Sequence, residues 1–357
     1  MRTTEAEIED WFRTNLETVR ATGTRYVLAT MAGSVEILSD VQTAPPSTWP
    51  AARRCAGPPF ATVALTSNPP PRAADRLLDA PSAQRSDHNG RGAFPVRWSP
   101  GRIWTARYAD GPFAVREGNR LVVSFTDTTE ARRWTDRILR ELLIHGGRRY
   151  GFRLCHGAAL ELGDGGLLIT GESGAGKTDL ALKLARALAA PIATVDRGTM
   201  GYHHGRLCIG TLPFGMNIHH ATLTDLDCTA PELATRYPPI AGKHYLTPQD
   251  AELWCGITRT PWTRITCVVQ VVRSTTRTRW RPLSSEETSD AAATADTSAT
   301  DPGYQTDWLG LSPRTPPPPP AFDGLNAGWS LHYRPDHPLP QEWLTDLKRV
   351  ILPATPS

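Results

Sequence analysis

Residues 166–178 read Gly166-Leu167-Leu168-Ile169-Thr170-Gly171-Glu172-Ser173-Gly174-Ala175-Gly176-Lys177-Thr178, and this stretch decides the fold. Its last eight residues fit G-x-x-x-x-G-K-[ST], the pattern of a phosphate-binding loop. The five residues ahead of them suit a short buried strand. Asp179 to Ala190 follows as a helix, with Leu180, Leu184 and Leu188 on one face and Lys183 and Arg186 on the other. Glycine at 171, 174 and 176 lets backbone N–H groups turn inward around an anion without Cβ clashes. The helix N-terminus adds partial positive charge. The pattern predicts a nucleotide-contacting set of Gly171, Glu172, Ser173, Gly174, Ala175, Gly176, Lys177, Thr178 and Asp179. Lys177 is expected on the β- and γ-phosphates and Thr178 on Mg²⁺, which makes ATP and Mg²⁺ the expected ligands.

The rest of the chain sets bounds around that motif. With 357 residues there is room for two domains, or for one core with insertions. A net charge of +3 gives no electrostatic argument for nucleic acid or a membrane surface. Lysine stands only at 177, 183, 243 and 348, so arginine carries most of the positive charge. The six cysteines, at 55, 155, 208, 228, 255 and 267, include no C-x-x-C pair. That favours reduced, mostly buried thiols over a disulfide frame or zinc site. No apolar run approaches membrane-spanning length, and Met1 to Asp10 is acidic and polar rather than signal-like. A cytoplasmic protein is expected.

Periodicity supplies a coarse map. Residues 5–20 predict an amphipathic helix with Ile8, Trp11, Phe12 and Leu16 on one face. Tyr26–Ala29, Val35–Leu38, Arg102–Ala109 and Arg120–Phe125 read as strands, and Ala80–Gly92 as a loop or linker. Thr128–His145 predicts a helix ending at Gly146-Gly147. Beyond it, Arg153–Leu162 reads as one strand and Ile192–Asp196 as another, with a hairpin over Thr199–Gly210 and a short helix or turn over Pro231–Arg236. Ile265–Val272 is a β-branched strand. Ser284 to Pro320 is rich in Ser, Glu, Thr, Ala and Asp and ends in five prolines, which predicts disorder. Trp329–Tyr333 and Gln341–Ile351 then read as a strand and a helix. The expected organisation is an accessory α+β region over 1–130, a core over 131–283, a disordered insertion over 284–320 and a strand-helix tail over 321–357.

Three features distinguish this phosphate-loop chain from others. His156-Gly157 lies on the strand just before the loop-bearing strand, separated from it by the turn Gly163-Asp164-Gly165-Gly166. The loop runs on into Thr178-Asp179-Leu180-Ala181-Leu182. The strand after the helix ends in Asp196-Arg197. This arrangement resembles the HPr kinase/phosphorylase family and its relatives, including kinase-like proteins found with lasso-peptide precursors, over roughly residues 135–225. The resemblance implies an α/β phosphate-loop core of mixed β-sheet flanked by helices, related to that of phosphoenolpyruvate carboxykinase. It implies a kinase with Lys177 on the phosphates, Thr178 and Asp196 toward Mg²⁺, Asp196 as the catalytic aspartate and His156 at the active-site histidine. Where the family carries a second aspartate this chain has Val195. The implied acceptor is a hydroxyl of a peptide, carrier protein or small molecule, and a homo-oligomer is compatible. The rival reading is a nucleotide sensor that transfers nothing.

Other residues carry weaker signals. His203-His204 and His219-His220 are adjacent pairs, and neighbours on a strand face opposite ways, so each offers a metal one ligand at most. Arg273, Arg277, Arg279 and Arg281, with Trp280, are expected either to grip a phosphate or acidic peptide or to mark a solvated linker. Lys243 and His244 are expected in a flexible segment, and Glu172 and Asp179 in solvent.

Overall fold

The computed structural model describes residues 4–30, 33–41, 59–74, 84–87, 93–98, 103–107, 112–125, 131–212, 215–228, 231–240, 242–301, 304, 307, 309–312, 318, 322 and 324–351. Its class is mixed α/β, with several mixed sheets and no barrel among these residues. The chain divides into two compact units. The first takes the described residues up to Tyr150 and those between Thr300 and Pro316. The second takes those of Gly151–Ala299 and those from Pro317 onward.

The first unit opens with helix α1 (Thr4–Thr22). Ile8, Phe12, Leu16 and Val19, spaced at the helical period, form its buried face. Trp11 meets Phe113 edge-on and donates its indole N–H to Pro69 O at 2.9 Å. An eight-stranded sheet follows: β1 (Thr24–Thr30), β2 (Gly33–Ser39), β3 (Ala61–Thr66), β4 (Gln84–Asp87), β5 (Ala93–Trp98), β6 (Ile103–Arg107), β7 (Phe113–Glu117) and β8 (Arg120–Ser124). Its order is β1-β2-β3-β8-β7-β6-β5-β4. β3 lies parallel to both its neighbours and the other pairs are antiparallel. The stretch expected as a loop over Ala80–Gly92 includes β4, paired with β5, and its flanks lie outside the described residues. Helix α2 (Ala131–Glu141) runs into a π-turn over Leu142–Gly146. The residues expected to begin this helix lie outside the described set. Half-buried Arg116 donates to Leu309 O and Gly310 O, at 2.7 and 2.9 Å, which ties part of the expected insertion to this unit.

The second unit holds three sheets. Its strands are β9 (Arg153–His156), β10 (Ala158–Leu162), β11 (Gly165–Thr170), β12 (Ile192–Thr194), β13 (Arg197–His203), β14 (Arg206–Thr211), β15 (Met216–His219), β16 (Lys243–Leu246), β17 (Trp262–Arg264), β18 (Cys267–Arg273), β19 (Arg279–Pro282) and β20 (Ala327–Tyr333). Its helices are α3 (Lys177–Leu188), α4 (His220–Asp225), α5 (Pro231–Arg236), α6 (Pro248–Cys255), α7 (Ser285–Ala293) and α8 (Gln341–Ile351). The central sheet runs β12-β10-β11-β18-β20-β19. β11, β18 and β20 are parallel, so their carboxyl ends share one edge. Leu180 and Leu184 of α3 and Trp343 and Leu347 of α8 pack with Leu160, Leu167 and Ile169 in one apolar core.

Two expectations need correction here. The run after Ser284 is not disordered throughout. Ser284 and Glu287 form a reciprocal capping box, and α7 buries Thr288, Ala291 and Ala292. Small side chains let it approach the sheet closely: a Cβ on Gly328 would lie 2.2 Å from Thr288 Oγ1. A low-complexity composition hid a capped helix with a narrow packing face. The segment around Lys243 and His244 is likewise β16, paired antiparallel with β15. His244 is buried, facing Tyr237 O through Nδ1 at 2.7 Å and His220 Nδ1 through Nε2 at 3.0 Å.

Candidate functional site

The residues expected to act gather at the edge where β11 ends. β11 delivers the chain to Gly171, whose φ of +136° suits glycine and whose Cβ would lie 2.3 Å from Val271 O. Gly176 caps α3 at φ +102° and, having no side chain, makes no capping hydrogen bond to the first-turn N–H groups. Those donors are the ones a helix offers to an anion. Glu172, Ser173 and Gly174 are exposed, and Ala175 and Lys177 are buried.

Lys177 reaches back over the loop, donating to Gly171 O at 2.8 Å and Glu172 O at 3.0 Å. Two of its three N–H donors are so placed, leaving one for an incoming oxygen. Burial lowers its pKa, with Asp196 and Cys155 opposing the shift. Thr178 donates its hydroxyl hydrogen to Val195 O at 3.1 Å. Its oxygen lone pairs therefore remain able to meet a cation.

The single strand expected over Arg153–Leu162 is two strands in two sheets. β9 pairs with β13, β10 pairs with β11 and β12, and Gly157 forms the break. Glycine is required there because a Cβ would lie 2.8 Å from Ile169 O. The Gly157 N–H donates to Asp196 O at 2.9 Å. That bond sets His156 beside Asp196, with Nε2 3.4 Å from Oδ1. The following strand stops at Thr194, short of Asp196, where Thr194 Oγ1 donates to Arg197 O at 2.8 Å and turns the chain. Arg197 Nη1 lies 3.0 Å from Asp196 Oδ2. The Asp196 carboxylate thus has histidine on one oxygen and guanidinium on the other, with a quarter of its side chain exposed (24%).

Asp179, expected in solvent, is buried. It accepts a hydrogen bond from Tyr333, and Lys183 lies 3.1 Å from the same oxygen. Packing against β20 draws it inward, since Tyr333 fills the space beside Gly176. Sequence reasoning missed Tyr333 altogether. Arg197 was legible only as the neighbour of Asp196. Of the arginine series, Arg281 is paired with Glu287 and Arg273 Nη1 donates to Gly174 O at 3.2 Å.

Among the described residues no group of three or more His, Cys, Asp or Glu could hold a metal ion. His203 and His204 sit at a hairpin turn with ring centres 4.2 Å apart, and burial followed by the neighbouring ring lowers the His203 pKa. The described cysteines are free and buried, with Cys155 and Cys255 pushed up to about 12 by burial. Cys55 lies outside the described residues. No described helix is long and apolar enough to cross a membrane.

No family model matches the chain, and no curated protein matches it. Among solved structures, an HPr(Ser) kinase/phosphatase from Coxiella burnetii is similar over 37% of this chain and 77% of that one, at 17% identity and a TM-score of 0.23. A likeness that weak says nothing about reaction or substrate.

Proposed function

We propose that this chain is an ATP- and Mg²⁺-dependent kinase that transfers the γ-phosphoryl group to a hydroxyl, of a peptide or protein Ser/Thr or of a small metabolite. The observation that carries the reading is the placement of Asp196. Its carboxylate lies between His156 and Arg197, one residue from the carbonyl that accepts the Thr178 hydroxyl. This supports assigning the metal and the acceptor's proton to groups at the start of α3 and just past β12. Thr178 and Asp196 are oxygen donors of the kind Mg²⁺ takes, and Mg²⁺ is commonly held by one or two carboxylates together with substrate phosphates. Bound there, the cation would neutralise phosphate charge.

Phosphoryl transfer demands positioning and charge stabilisation more than covalent chemistry. The N–H groups of Gly171–Gly176 and Lys177 would grip the phosphates. Asp196 would take the acceptor's proton as its oxygen bonds the γ-phosphorus and the bond to the β-phosphate oxygen breaks, releasing ADP. His156 and Arg197 would hold the carboxylate in position. The first unit would serve acceptor recognition or oligomer contacts, in a cytoplasmic protein.

A second reading has its own observation. Val195 is buried and apolar where the resembled family has an acid, so a non-transferring nucleotide sensor would need only the loop. One experiment separates the two: γ-phosphate-labelled ATP and Mg²⁺ with a cell extract, comparing wild type with Asp196→Asn. Label on an acceptor with wild type, reduced about 10²–10⁴-fold in the variant while ATP binding persists, supports the kinase. Equal ATP binding with no transfer by either protein favours the sensor.

A further inference from the structure

The sequence of strand ends along the site gives the donor nucleotide a direction. Beside β11, β10 begins and β12 ends, and there stand His156, Asp196 and the Thr178–Val195 contact. The reacting phosphate belongs on that side if the nucleotide reading above is right. The remainder of the nucleotide must then run the opposite way, across the carboxyl ends of β18 and β20.

Arg273 is a cation on that path, the one whose guanidinium reaches the loop. It is the last residue of β18, paired in register with Tyr333 and three residues beyond Gln270, which pairs with Thr170 at the end of β11. It is exposed, and its guanidinium rests on Gly174 O at the loop apex. A Cβ at Gly174 would meet nothing within 4 Å, so the apex opens onto free space. The turn after Arg273 is braced. Ser274 N–H donates to Tyr333 O at 2.8 Å, Ser274 Oγ to Arg277 O at 3.0 Å, and Arg334 Nη1 to Thr276 O at 3.0 Å. Of the arginines nearby, Arg334 makes a two-point pair with Asp336 and Arg281 another with Glu287.

We infer that Arg273 binds the nucleoside half of the donor, bonding its α-phosphate and stacking on its base. A guanidinium suits both tasks: its donors form a rigid fork that matches phosphate oxygens, and its flat face stacks on rings. One contact to Gly174 leaves it donors for the ligand.

The test uses the full chain and measures Mg²⁺-ATP, Mg²⁺-ADP and magnesium pyrophosphate binding by calorimetry to wild type, Arg273→Ala and Arg273→Lys. Pyrophosphate stands in for the two outer phosphates alone. The expected result is ATP and ADP binding weakened together by about tenfold in Arg273→Ala, the worth of one charge-assisted contact. Pyrophosphate binding should hold within twofold, and Arg273→Lys should recover only part of the loss. Pyrophosphate weakening in step with ATP would overturn the inference, placing Arg273 on the outer phosphates or in the loop's structure. No change for any ligand would overturn it too. Wild type failing to bind any of the three would remove the nucleotide reading itself, which separates the two failures.

Discussion

Tyr333 donates its phenolic hydrogen to the carboxylate of Asp179, 154 residues away in sequence. The bond pins the first turn of α3 to the end of β20, directly behind the glycine-rich loop. Tyr333→Phe would leave the Asp179 oxygen with Lys183 alone in a buried site. The expected cost is about 1–3 kcal/mol, read as a lower denaturant midpoint at unchanged m-value. Nucleotide affinity should fall with it. An unshifted midpoint would mean the bond is not a structural tie.

Gly157→Ala tests the division of one expected strand into two. Its Cβ would press on Ile169 O, and backbone cannot yield as a side-chain tip can. Destabilisation of about 1–3 kcal/mol is expected, together with loss of transfer, because the Gly157–Asp196 bond positions His156. Full stability and activity in this variant would show that the break is soft.

Thr178→Ala removes the hydroxyl assigned to Mg²⁺. ATP binding measured with Mg²⁺ should weaken roughly tenfold, the worth of one charge-assisted contact. Binding in excess EDTA should not change. Equal losses under both conditions would assign Thr178 to the phosphates instead.

Ser284→Ala asks whether α7 depends on its cap. The loss should be about 1 kcal/mol, with faster amide exchange over 285–293. Rapid exchange there in wild type already would contradict an ordered helix.

Alkaline stability follows from the buried thiols. Burial lifts Cys155 and Cys255 from the ordinary 9.0 to about 12, and Cys267 to about 11. The folded chain then keeps protons that the unfolded chain releases, so stability falls as pH rises above about 9. Thermal midpoints should be insensitive to these groups between pH 7 and 8 and decline from pH 9 to 11. A triple Cys→Ala variant should show a shallower decline, and a matching slope would exclude the thiols as the cause.

Much of the second unit was legible because its signals are local. Pro231–Arg236 and Gln341–Ile351 begin and end as apolar spacing and helix boundaries imply, and the hairpin turns at His204-Gly205. α7 and β16 were not legible. One has a face of alanine and threonine too small to raise hydrophobic periodicity, and the other is held by a partner strand more than twenty residues upstream.

Sequence alone determined the strand, glycine loop and helix, expected over 166–190 and found over 165–188, because backbone freedom at glycine and the 3.6-residue repeat act over a few neighbours. It also marked Lys177, Thr178, His156 and Asp196 as candidates. Tertiary structure alone decided that Gly157 sends one stretch into two sheets, that Asp179 is buried under Tyr333, and that Arg197 and Arg273 flank the loop from opposite sides. Those outcomes depend on contacts between residues far apart in the chain. Each becomes favourable only after the sheet has brought the strands together, so no window of sequence contains it.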